Sequence, residues 1–155
     1  MEFTSENKKH FDEVLTRYPT KRAALLPALW LAQKQFGWLS PEVMEYVGKL
    51  LELPPIKVYE VATFYTMFNK KPVGKHHVQL CRTLSCEIRG KEKILCHLKN
   101  KLGIGVGETT SDGKFTLTEV ECLGSCGTAP MMQVNDDFFE DLTGEKIDEI
   151  LMNLR

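Results

Sequence analysis

No stretch of this 155-residue chain approaches the 18 or more consecutive apolar residues of a membrane span, so direct membrane insertion is not expected. The opening residues, MEFTSENKKHFDE, lack the apolar run of a signal peptide. Cytosolic surroundings are therefore expected, where reducing conditions disfavour structural disulfides. There is no excess of one charge, since 20 Lys and Arg face 21 Asp and Glu. That balance offers no concentrated positive surface for phosphates and argues against nucleic-acid binding. No GxGxxG loop is present, so a dinucleotide would have to sit on a partner. The CxxC of a thioredoxin-like dithiol, the CxxxxCxxC run of plant-type ferredoxins and the CxxCxxCxxxCP repeat of two-cluster ferredoxins are absent too.

The length suits one ordinary domain, or one core with an extension. A chain of this size buries about 68 to 70% of its unfolded surface and needs no disulfide staple. The small charges divide unevenly: residues 1–75 carry 11 Lys and Arg against 8 Asp and Glu, and residues 76–155 carry 9 against 13. An acidic second half can steer a redox partner.

The first half reads as helices. Phe11, Val14, Leu15 and Tyr18 recur at helical spacing, predicting a helix over 5–18 stopped by Pro19. A second helix is expected over 21–36, with Leu25, Leu29, Ala32 and Phe36 on one face, widened by Leu26 and Trp30. Pro27 falls in its first turns or kinks it, and Gly37 closes it. Ser40-Pro41 reads as a cap followed by proline at the first helical position, with Val43, Val47, Leu50 and Leu51 as the stripe. Pro54-Pro55 opens a fourth helix through Ile56, Tyr59, Ala62 and Thr63, flanked by Val58 and Val61. Phe64, Tyr65, Met67 and Phe68 are expected either to pack this helical part on the rest or to line a protein interface. The polar segment Asn69–Gly74 is the expected hinge, giving a helical bundle over 1–72 and a second domain over 73–155.

From His76 the period shifts toward 2. HHVQLC is a strand ending at Cys81; residues 90–102 form a helix buried through Ile94, Leu95, Leu98 and Leu102. VGETT and KFTLTEV make a hairpin around Ser111–Lys114; MMQVN and Phe138–Glu140 are strands; Thr143 caps a terminal helix. The order β, α, β, β, β, α gives an α+β domain with a small mixed sheet flanked by helices.

Four of the five cysteines form two pairs, Cys81 and Cys86 as CxxxxC and Cys122 and Cys126 as CxxxC, each on a loop leaving a strand. Two loops brought together make a four-sulfur pocket. Thiolates select zinc, copper(I) or iron-sulfur clusters over magnesium or calcium, and spacing alone does not choose among them. Gly124, Gly127 and Gly90 beside the ligands tilt the reading toward an iron-sulfur cluster, because glycine lets backbone amides approach sulfur. Structural zinc and a redox or buried thiol set stay open. Cys96, on the helix, reads as a noncoordinating thiol, and His10, His76, His77 and His97 as structural or exposed.

With these loops read, CxxxxC followed after about 35 residues by ECLGSCGTAPMMQVND, and preceded by EVATFYTMF, resembles the 24 kDa subunit family of respiratory NADH:quinone oxidoreductase (complex I). The resemblance covers nearly the whole chain. It implies a thioredoxin-like domain holding one 2Fe-2S cluster through Cys81, Cys86, Cys122 and Cys126, preceded by an N-terminal helical bundle. It further implies a larger partner subunit that binds FMN and NADH and performs hydride transfer, further peripheral-arm subunits, and attachment to the inner face of the cell membrane through the complex. This chain would then be an electron carrier with no acid, base or nucleophile of its own. The same resemblance implies a cis peptide at Ala129-Pro130. The rival readings are the equivalent subunit of an NAD-linked hydrogenase or formate dehydrogenase, and a zinc-stabilised interaction module.

Overall fold

A computed structural model describes residues 1–154 and divides the chain into two compact units, Met1–Pro72 and a second beginning at Val73. The first is helical throughout. Helix α1 (Ser5–Leu15) starts at Thr4, whose side chain accepts from the Asn7 amide at 3.2 Å. It ends three residues before the expected Tyr18, which is 39% exposed. The residue before a proline is pushed out of the helical region, so Arg17 and Tyr18 turn back onto Val14 and Leu15 ahead of Pro19.

A 3-10 turn over Lys21–Ala24 precedes α2 (Leu25–Phe36), which leaves Pro27 in the first turn, where its missing N–H forfeits no helical bond. Gly37 closes α2 at φ 83°, its amide donating to the Gln33 carbonyl at 2.8 Å. Helix α3 (Pro41–Leu51) has Ser40 as its cap and proline at its start. Helix α4 (Pro55–Phe64) buries Val58 and Ala62, whereas Ile56 and Tyr59, expected inside, are 59% and 51% exposed. Gly48 accounts for the rotation. A Cβ there would lie 3.4 Å from Val58 Cγ2, so Val58 sits where α3 lacks a side chain. Of the aromatic and methionine cluster at the end of α4 and just beyond it, Phe68 enters the helical core with Leu29, Leu39 and Val47, while Phe64, Tyr65 and Met67 are exposed.

The second unit is a four-stranded sheet in the order β2-β1-β3-β4, formed by β1 (His76–Cys81), β2 (Phe115–Val120), β3 (Met132–Val134) and β4 (Asp137–Phe139). β1 and β2 run parallel, from His76 opposite Phe115 to Cys81 opposite Val120; β1–β3 and β3–β4 are antiparallel. Parallel neighbours need a long crossover. Helices α5 (Leu84–Ile88) and α6 (Lys91–Leu102) supply it, and α7 (Gly144–Asn153) closes the chain. Val78, Leu80, Leu117, Met132 and Val134 from the sheet meet Leu95 and Leu98 of α6 and Ile147 and Leu151 of α7 in one core.

Two expectations change. VGETT forms no regular strand, although it does turn back along β2: Thr109 bridges Thr116, the Gly107 and Thr110 amides donate to the Leu117 and Phe115 carbonyls at 2.7 and 2.8 Å, and the Leu117 amide donates to the Glu108 carbonyl at 3.1 Å. The Glu108 carboxylate accepts from the Gly105 amide at 2.6 Å and Gly107 takes φ 85°, so this segment curls while β2 pairs along its length with β1. The second change is α5, a five-residue helix where a loop was expected. It is too short for hydrophobic periodicity to reveal.

Candidate metal centre

Parallel pairing of β1 with β2 places the exits of both strands at one end of the sheet, because Cys81 and Val120 are register partners. Cys81 is the last residue of β1, and Cys122 follows the end of β2 by two residues. Cys86 lies on α5 rather than in a loop, and Cys126 opens a 3-10 turn over Cys126–Thr128. After that turn the Ala129-Pro130 peptide is cis, as the resemblance implied, and Met131 leads into β3. The Cys81 amide donates to the Met131 carbonyl at 3.2 Å, joining the strand end to this return.

Two sulfurs form a wall and two a rim. Cys81 and Cys86 are each 2% exposed, packed with Ala129, Met131 and Leu123, while Cys122 and Cys126 face solvent. The Cys122 and Cys126 sulfurs are 3.8 Å apart. Two tetrahedral corners at metal–sulfur bonds of about 2.3 Å are themselves separated by about 3.8 Å, so this pair fits one metal ion without rearrangement. Among the described residues no group of three or more His, Cys, Asp or Glu is placed to hold a single metal ion. The sulfurs stand as two pairs instead of closing on one point.

Backbone and hydroxyl groups set the electrostatics. The Gly124 amide donates to the Cys122 sulfur at 3.4 Å, and Gly124 takes the left-handed φ of 90° that favours glycine. That amide, with Cys126 and the Thr83 hydroxyl, holds the Cys122 thiol below its ordinary pKa. Burial pushes the Cys81 thiol up, but the Thr83 hydroxyl at 3.3 Å and the Thr83 and Leu123 amides outweigh it and leave a net lowering. Cys86 is raised, chiefly by burial, partly offset by the Met131 amide and reinforced by Cys81 and Cys126. The thiols of the two segments thus act on one another, Cys81 on Cys122 and Cys126 on Cys86, and hydrogen-bond donors aimed at sulfur favour an electron-rich ligand set. Gly90, expected to bring an amide to sulfur, serves otherwise. Its amide donates to the Glu87 carbonyl, and at φ 95° it forms the joint between α5 and α6.

The remaining candidates lie elsewhere. Cys96 is exposed on α6, and His97 binds Asp148 at 2.7 Å. His77 Nε2 is 2.9 Å from Thr118 Oγ1; His76 is buried against Phe115; His10 is exposed on α1. Sequence reasoning did not single out Lys91. Its side chain is only 8% exposed and its ammonium reaches Glu119 at 3.0 Å, Glu87 at 3.1 Å and Glu92 at 3.2 Å. Glu119, foremost, holds it protonated well above the ordinary lysine range. The Glu87–Lys91 spacing of four was the one available signal.

A four-stranded sheet with helices, a cis proline and four cysteines gathered at one end define a small α+β domain with a thiol-rich site. The chain belongs to the family described as Thioredoxin-like [2Fe-2S] ferredoxin, whose pattern it matches over residues 11–155. It is 51% identical over 156 residues to the NADH-quinone oxidoreductase E subunit of Rickettsia bellii, covering 99% of this chain and 93% of that protein. It is 46% identical to the NADH-quinone oxidoreductase E 2 subunit of Rhizobium meliloti, covering 96% and 88%. Among solved structures, a chain of the NAD+-reducing [NiFe]-hydrogenase in the air-oxidized state superposes with a TM-score of 0.75 at 22% identity. That match covers 84% of this chain and 22% of the hydrogenase chain, and at this identity it shows the fold alone.

Proposed function

We propose that this chain is the iron-sulfur electron carrier of an NADH-quinone oxidoreductase, and that Cys81, Cys86, Cys122 and Cys126 would hold one 2Fe-2S cluster. The observation that carries the reading is the convergence of the two cysteine pairs at one end of a parallel strand pair, with the Cys122–Cys126 separation of 3.8 Å matching tetrahedral thiolate ligation. Near-full-length similarity to NADH-quinone oxidoreductase subunits from other bacteria supplies the assembly. A bound cluster would supply one-electron exchange.

This chain's own residues would do the rest. β1 and the cis-proline return hold Cys81 and Cys86 out of water, and the Gly124, Leu123 and Met131 amides direct partial positive charge at the sulfurs. Cys122 and Cys126, on the exposed side, face the direction from which a redox partner would approach. No side chain at the site is asked to act as acid, base or nucleophile. The partner in this reading is the subunit that binds FMN and NADH, with other peripheral-arm subunits beyond it. Among the described residues no helix is long and apolar enough to cross a membrane, so a cytoplasmic position at the inner face of the cell membrane would come through the complex.

The test is anaerobic mixing of the iron-loaded chain with its flavin-binding subunit and NADH. Reduction of the centre that requires both the flavoprotein and NADH supports the reading. A centre reduced at the same rate without the flavoprotein, or no stable association between the two, contradicts it.

A further inference from the structure

Lys91 lies at the junction between the two cysteine-bearing segments. Glu87, one residue beyond Cys86 on α5, and Glu119, three residues before Cys122 on β2, both reach its ammonium. Glu92, its neighbour on α6, completes the set. A second pair joins the same segments nearer the strand ends. The Arg82 guanidinium, beside Cys81, donates to Glu121, beside Cys122, at 2.9 and 2.5 Å. The two ties differ in burial: Arg82 and Glu121 are 56% and 65% exposed, whereas Lys91 and Glu119 are 8% and 22%. An exposed pair adds little, but removing one member of a buried, multiply bonded pair leaves an uncompensated charge and disrupts what it joins. Beyond the packing of Cys86 against Ala129 and Met131, helix α5 has few anchors. It is five residues long, no side chain caps its start, and Leu84 and Ile88 point into solvent.

We infer that Lys91 is a positioning residue for the cysteine site, pinning α5 and with it Cys86 to β2 through Glu87 and Glu119, so that the Cys86 sulfur stays buried beside Cys81. The inference rests on the proposed ligand role of Cys86 for its functional meaning, but its geometry is testable without metal.

In the reduced, metal-free, full-length chain, alkylation of each cysteine by iodoacetamide is followed by peptide mass spectrometry, with Cys81 as the equally buried internal reference. Lys91→Met is expected to raise the Cys86-to-Cys81 rate ratio roughly tenfold by local opening of α5. Lys91→Arg should restore it to within about threefold of the parent, and Arg82→Ala should change it less than about twofold. An unchanged ratio in Lys91→Met overturns the inference, including the case where both rates rise together through general unfolding. Should that variant not fold, Glu119→Gln, which keeps the lysine and removes its β2 anchor, must raise the ratio or the inference fails. In the iron-loaded chain the same variants should lose iron to EDTA faster and show a shifted EPR signature, with Lys91→Arg rescuing both. A parent chain that takes up no iron and sulfide would refute the proposed function, while the metal-free alkylation ratio still decides the role of Lys91.

Discussion

The two units solve different problems with different materials. Among the described residues, the buried polar group of the helical unit is Ser40, and it caps a helix; the sheet unit buries His76, Lys91 and Thr116. The helices bury apolar side chains against one another and satisfy their ends with Thr4, Ser40 and Gly37. In the sheet unit, partners such as Cys81 and Val120, or Lys91 and Glu119, are nearly 30 to 40 residues apart. Buried charge is costly to arrange, and here it stands behind the cysteines, where Lys91 meets Glu119. One unit has the character of scaffold, the other of a site.

The largest break in this comparison comes from the cysteines. Replacing Cys81, Cys86, Cys122 or Cys126 by Ser should abolish or disturb the iron centre while the helical content of the first unit persists. Iron and sulfide analysis with far-UV circular dichroism checks it; full cluster content and an unchanged spectrum would remove that residue from the ligand set. The reciprocal change is Leu29→Ala in the helical core, where the side chain is fully buried. A cost of about 2 to 5 kcal/mol is expected. Amide exchange should place that loss in α1–α4 with little change in β1 and β3.

Smaller effects sharpen the contrast. At Gly74 an added Cβ would meet the backbone of Gly113 and Lys114 at 2.9 Å, where β1 begins beside β2. Gly74→Ala should therefore destabilise the sheet unit by about 1 to 3 kcal/mol through a forced backbone shift, read from denaturant midpoints. Ser40→Ala removes a cap on α3 and should cost about 1 kcal/mol in the helical unit by the same measurement.

The smallest effect concerns pH. Burial lowers the His77 pKa from its ordinary 6.5. The unfolded chain then binds the proton more readily, so this contribution to stability is complete above about pH 6.5 and is lost as pH falls through the lower folded value. His77→Gln should flatten the stability-against-pH profile just below pH 6.5, between the folded and unfolded values; an unchanged slope there would count against a half-buried, neutral His77.

The same contrast explains what could be read in the chain. Helices α2 and α3 were legible because Pro27, Gly37, Ser40 and Pro41 announce their ends and the apolar stripe repeats over three turns. The rotation of α4 was not, because it depends on Gly48 of a neighbouring helix. β1 and β2 were visible as alternating segments. Their parallel pairing was not, since the turn between VGETT and KFTLTEV accounts for one edge of β2, and no local signal says that its other edge lies along β1. At the site, the two cysteine pairs were plain in the sequence, and so was the glycine that turns the Cys122 loop. The short helix under Cys86 and the buried lysine behind it were hidden, because α5 is too short to show a period and the burial of Lys91 depends on Glu119, far along the chain.

The most direct measurement is iron, acid-labile sulfide and zinc on anaerobically purified protein, with EPR spectra before and after reduction. Two irons and two sulfides per chain are expected, with a paramagnetic state on addition of one electron, as a binuclear cluster on four thiolates requires. One zinc per chain with no sulfide would contradict electron transfer and leave the sheet unit as a metal-stabilised interaction module.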